Sequence, residues 1–116
     1  MAARYNREDS HGATWEIDIT CSGFDGAPLD VSDHQVFYAL TRRAVAEIEL
    51  NSTDNAAQVV KLDAAAGQVR IIVKPADQAA IAAGVVHLEE IWTVAPDGTV
   101  FDQAYGAVHV RKTPFA

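Results

Sequence analysis

Residues 68–110 constrain the fold more than any other stretch, because extended and turn signals alternate there with a single short interruption. Within 68–74, Val69, Ile71 and Val73 share one face by the two-residue period of a strand, with Gln68, Arg70 and Lys74 opposite and Ile72 breaking the alternation. Pro75 suits the first position of a helix and Gly84 the left-handed residue past a helix end. Residues 75–83 are therefore predicted to form a short helix anchored by Ile81. Residues 85–94 return to β-branched and aromatic types. Pro96-Asp97-Gly98 fits a type I turn closed by a glycine bulge, giving a hairpin to residues 99–105, and a last strand follows Gly106. The block predicts an all-β core with one helical crossover between sheets.

The rest of the chain adds strands to this core. Residues 13–21 alternate, with Trp15, Ile17, Ile19 and Cys21 on one face and Thr14, Glu16, Asp18 and Thr20 on the other. Residues 22–32 are rich in turn formers, with Leu29 and Val31 expected to dip into the core. Residues 34–43 place Val36, Tyr38 and Leu40 on one face and Phe37 and Ala39 on the other, so the strand is apolar on both sides. Cover from both sides, or an outer face packed on another subunit, would explain it. Residues 44–50 read as a half-buried strand rather than a helix, since Asn51-Ser52-Thr53-Asp54-Asn55 would stop a helix within two turns. Residues 56–62 form a weaker strand. The expected core is Val36, Tyr38, Leu40, Val69, Ile71, Val73, Ile81 and Trp92. Residues 1–12 are polar apart from Tyr5 and are expected to be a flexible N-terminal arm, either frayed or ordered against a neighbouring subunit. The domain is expected to span 13–112, with a tail at 113–116.

At 116 residues the chain has room for one domain with a core of its own. Its hydrophobic share of 49% and charged share of 22% suit a globular rather than a disordered chain. A formal charge of −7, with no cluster of Lys or Arg, argues against nucleic acid as a partner. Cys21 is the single cysteine, so no intrachain disulfide is expected, and residues 1–12 lack the apolar core of a secretory signal. No apolar run is long enough for a spanning helix, so a membrane role is not expected. Folding in a reducing cytoplasm follows.

The strongest chemical constellation is His87-x-Glu89, because alternate residues of a strand point the same way and imidazole plus carboxylate is a ligand combination. It supplies two ligands rather than three, with Glu90 on the other face, and His34, His109 and Asp102 near only if the fold brings them. Polar side chains on the wet face of a sheet are the preferred reading of His87 and Glu89. Cys21 closes an apolar series and reads as a buried hydrophobe rather than a nucleophile. Neither a Gly-x-Ser-x-Gly elbow nor a glycine-rich phosphate loop is present, and carboxylates such as Asp18, Asp30, Asp33 and Asp102 are scattered. The aromatics Trp15, Phe37, Tyr38, Trp92, Phe101 and Tyr105 fall mostly at expected core positions, with no pair marked as a sugar platform. The expectation is a non-enzymatic protein with no catalytic, cofactor-binding or metal-binding residues.

Five pieces in order carry a resemblance: Gly26-Ala27-Pro28-Leu29-Asp30-Val31-Ser32, Gly67-Gln68-Val69-Arg70-Ile71, residues 75–84, Asp97-Gly98-Thr99-Val100 and Gly106-Ala107-Val108-His109-Val110. Together they resemble the immunoglobulin-like domains of tailed-bacteriophage structural proteins, in particular the N-terminal domains of phage baseplate upper proteins. The resemblance implies an immunoglobulin-like antiparallel β-sandwich of about seven strands. It also implies a structural role in a virion or phage-like particle, at the tail, baseplate, neck or capsid surface. The partners would then be other phage structural subunits, in many copies of a symmetric assembly, and the chain would fold in the host cytoplasm before joining the virion. The alternative is a free-standing immunoglobulin-like module that recognises a glycan or a surface protein.

Overall fold

Strands form where side chains alternate between core and solvent. In a computed structural model, which describes residues 3–112, there are eight: β1 (Ala3–Ser10), β2 (Trp15–Thr20), β3 (Gln35–Arg42), β4 (Val45–Asn51), β5 (Val59–Asp63), β6 (Gln68–Val73), β7 (Val85–Val94) and β8 (Val100–Arg111). They build one sheet in the order β1-β8-β7-β3-β4 and another in the order β2-β6-β5. All pairs are antiparallel except β1 with β8. The order β8-β7-β3-β4 facing β2-β6-β5 is that of an immunoglobulin-like sandwich.

The core lies between the sheets. Trp15, Val36, Leu40, Val69, Ile71 and Val73 are fully buried there, and Tyr38 and Ile81 nearly so. Val31 is buried and Leu29 packs against the cluster, as the turn reading expected. Gly67, at φ +75°, lets two strands' ends meet: a Cβ there would sit 2.6 Å from the Leu29 carbonyl oxygen and 2.7 Å from that of Cys21. Two buried or nearly buried glutamines act as backbone mimics at loop ends. Gln78 accepts from Gly12 N–H (2.7 Å) and donates to the Ala13 carbonyl (2.6 Å), while Gln103 accepts from Ser22 N–H (2.7 Å) and donates to its carbonyl (3.1 Å).

Several expectations are corrected. Residues 3–10 are not an arm but the edge strand β1, in register with β8 from Ala3↔Ala104 to Ser10↔Arg111. β1 can lie this close because Gly106 has no side chain: a Cβ there would come 1.8 Å from the Tyr5 carbonyl oxygen. The expected tail, 113–116, lies outside the described residues. The helix at 75–83 shrinks to one 3-10 turn, Pro75–Gln78, because the polypeptide must turn back at once to enter β7; it still joins the two sheets. The strands expected at 99–105 and after Gly106 are one twelve-residue strand, because Gly106 serves close approach to β1 rather than a turn. The hairpin at 95–99 forms as expected, with Gly98 at φ +89° and N–H donation from Ala95 to Thr99 (2.9 Å) and from Gly98 to Ala95 (2.9 Å). Trp92 is not core. It stands on the outer face of β7, while its neighbours Ile91 and Thr93 point inward.

Candidate functional site

The inner face of β7 carries His87, Glu89, Ile91 and Thr93, all buried, and the outer face carries Val86, Leu88, Glu90 and Trp92. Polarity is thus reversed relative to the expected wet-face placement of His87 and Glu89. The reversal is possible because β1 and β3 bring partners. Arg7 donates to Glu89 Oε1 (Nε, 3.0 Å) and to Oε2 (Nη2, 2.5 Å), and the hydroxyls of Tyr5 and Tyr38 donate to Oε1 and Oε2. A buried carboxylate is tolerated when it is paired and its lone pairs are filled, and four donors meet that condition. Arg7 also donates to Asp9 (2.5 Å) and lies over the Trp15 ring, 5.3 Å from its centroid.

The electrostatics follow from that packing. Burial, then the Glu89 charge, pushes the phenols of Tyr5 and Tyr38 above their ordinary range. Burial works against the Arg7 charge, but the hydrogen bonds and charge of Glu89 outweigh it and hold the guanidinium protonated more firmly than in water. With every lone pair engaged, this cluster pins β1 to β7 and β3 of its own sheet.

His87 does not join Glu89. Its Nε2 lies 2.9 Å from the Ala82 carbonyl, to which it donates, and its Nδ1 faces Glu47 Oε1 at 3.3 Å without hydrogen-bond geometry. Glu47 reaches inward from the irregularity in β4 opposite Leu40/Thr41. His34 packs beside Phe101, their ring centroids 5.8 Å apart, and His109, Asp102 and Glu90 are exposed on the outer face of the larger sheet. Among the described residues no group of three or more His, Cys, Asp or Glu is placed to hold a metal ion. Asp18 is paired with Arg70 (2.8 Å), and Asp30 with Ser32, so neither belongs to an acid pair. Cys21 is buried, and burial pushes its thiol up to about 11, away from nucleophilic behaviour.

The outer face of the five-stranded sheet is the other concentration of unusual residues. Val86 and Leu88 are 57% and 59% exposed, and Tyr105 44%. Phe37 and Trp92, directly opposite on β3 and β7, stack with centroids 5.3 Å apart and planes within 8°. Sequence reasoning saw Phe37 as part of an apolar outer face but assigned Trp92 to the core, and so missed the pair. Parity groups Trp92 with Leu88 and Glu90, opposite Ile91 and Thr93, but leaves open which of the two faces is inward.

No family model matches the chain, and no curated protein matches it. Among solved structures, extracellular domains 3–5 of Drosophila OTK are similar over 90% of this chain and 32% of that one, at 12% identity and a TM-score of 0.39. A 2,6-sialyltransferase from Photobacterium sp. JT-ISH-224 is similar over 94% of this chain and 18% of that one, at 6% identity and a TM-score of 0.34. The chain spans a third or less of either, and likeness at this level carries no argument about what it does.

Proposed function

We propose that the chain is a non-enzymatic structural subunit of a bacteriophage virion or phage-like particle, held at the tail, baseplate, neck or capsid surface by contacts with neighbouring subunits. The phage context rests on the resemblance of the ordered motifs between residues 26 and 110. The mode of action rests on one observation, the reversal of β7. This strand turns His87 and Glu89 inward and leaves Val86 and Leu88 outward, on the face that also carries Phe37, Trp92 and Tyr105. A sheet face that stays in water is ordinarily polar, whereas a face that meets another protein removes such apolar surface from water at about 25 cal/mol per Å².

Density-gradient sedimentation of assembled particles tests the proposal, with the tagged chain followed through the fractions. The wild-type chain is expected in the particle band. Leu88→Asp, on an exposed position, is expected to keep its circular dichroism spectrum but remain in the soluble fractions. Absence of the wild-type chain from particles would refute the structural role, and normal incorporation of Leu88→Asp would refute this face as the contact. The Phe37–Trp92 pair favours one second reading, a free-standing module that recognises a glycan. That module would stay out of particles and be retained on an immobilised glycan.

A further inference from the structure

Resting on the docking reading above, the inference concerns what the partner must bring. Register places Ala39 of β3 between Glu49 of β4 and Glu90 of β7, and Trp92 opposite Asp102 of β8. Ala39 is 6% exposed and contributes only a methyl group, so the two glutamates flank a dip in the sheet. Phe37 and Trp92 stand two residues further along the same strands. A hollow of about 260 Å³ adjoins this dip on the β3–β4 side, lined by Phe37, Tyr38, Glu49, Leu50, Asn51 and Trp92, with Glu90 and Asp102 outside its lining. Among the described residues none of Glu49, Glu90 and Asp102 is in an ion pair, although other surface carboxylates such as Glu8, Glu16 and Asp18 are.

We infer that this hollow receives an arginine side chain of a partner protein whose contact surface is apolar with basic residues. A guanidinium is planar, stacks on an aromatic face and reaches a carboxylate with two parallel N–H donors, so one group satisfies both the ring pair and Glu49, while Glu90 across Ala39 adds to the negative field. A second copy of this chain is a poor occupant of the acidic half, since it carries the same carboxylates and a formal charge of −7. A neutral glycan would use the rings but leave the carboxylates without counter-charge.

The probe is the peptide Ac-Leu-Arg-Leu-Arg-amide, titrated to about 5 mM against the folded chain by two-dimensional 1H–15N NMR, a range that detects millimolar affinity. Its controls are the same peptide with Gln or Glu for Arg, and maltotriose. Saturable shifts at residues 37, 39, 49, 90 and 92 are expected with the Arg peptide, at least about tenfold weaker with the Gln peptide and absent with the Glu peptide. Glu49→Lys/Glu90→Lys, both at exposed positions, is expected to reverse the preference and bind the Glu peptide. No binding of the Arg peptide, equal binding of the Gln peptide, shifts only with maltotriose, or self-association through these residues would each overturn the inference. Sedimentation of Leu88→Asp separates the two levels. Lost incorporation without Arg-peptide binding leaves docking standing and removes the arginine; Arg-peptide binding with normal incorporation does the reverse.

Discussion

Replacing Arg7 with Met tests whether β1 is part of the folded unit. Methionine keeps an apolar stem over Trp15 but removes both hydrogen bonds to Glu89, at 3.0 and 2.5 Å, and, among the described residues, the only cation contacting it. Glu89 is 0% exposed, so its charge would be left with two phenol donors and no counter-ion. Removing one partner of a buried pair costs about 3–5 kcal/mol. The Arg7 side chain is 19% exposed, so some water can follow its departure, and the lower end, about 3 kcal/mol, is expected. For a domain of this size that is a drop in Tm on the order of 10–15 °C. Urea denaturation should show the loss in the midpoint with an unchanged slope. In a double-mutant cycle, Arg7→Met/Glu89→Gln should recover about half of the loss, because a neutral amide still accepts from Tyr38. A single variant within about 0.5 kcal/mol of wild type, or strict additivity, would refute a coupled buried pair. Deletion of residues 1–12 should cost at least as much, the opposite of what a flexible arm would give.

Three further outcomes are expected. Tyr5 and Tyr38 have raised folded-state pKa values, so their contribution is complete below about pH 10, where the unfolded phenols begin to ionise, and is lost as pH rises beyond it. The urea midpoint should fall between about pH 10 and 12, and Tyr5→Phe and Tyr38→Phe should each flatten that fall; parallel curves would contradict it. Arg43 and Ala44 sit at φ 54° and 62° in a two-residue hairpin loop that favours Asn-Gly, so Arg43→Asn/Ala44→Gly should raise stability by about 1–2 kcal/mol, read from urea melts. Cys21, with its thiol pushed up to about 11 and fully buried, should react with Ellman's reagent at pH 8 only as fast as the protein unfolds. Fast labelling of the native protein would show that the β2–β6 end is open.

Much of the fold was legible because it depends on local rules. Alternation marks β2, β3, β4 and β6 in the sequence to within a residue or two, and Pro96-Asp97-Gly98 names its own hairpin. The turn between β3 and β4 was passed over because Arg43 and Ala44 are not residues that advertise positive φ. Gly106 looked like a break between strands, although nothing local distinguishes a turn glycine from one that admits another strand's backbone. β1 was missed for a similar reason: Arg7, Glu8 and Asp9 are polar by any scale, and half of that polarity is turned toward a charge 82 residues away.

By itself, then, the sequence determined an all-β sandwich, its central strands and most of its core, since a period of two and the backbone chemistry of Pro and Gly act over a few residues. Only the tertiary structure decided which face of β7 points inward. His87 and Glu89 alternate with Val86 and Leu88, so the pattern fits either orientation, and hydrophobicity alone favours the wrong one. The choice is made by Arg7, Tyr5 and Tyr38, which arrive from β1 and β3 and turn a buried charge from a penalty into a satisfied network. Pairwise electrostatics between distant segments has no period in the sequence, and it is what leaves Leu88, Phe37 and Trp92 facing outward.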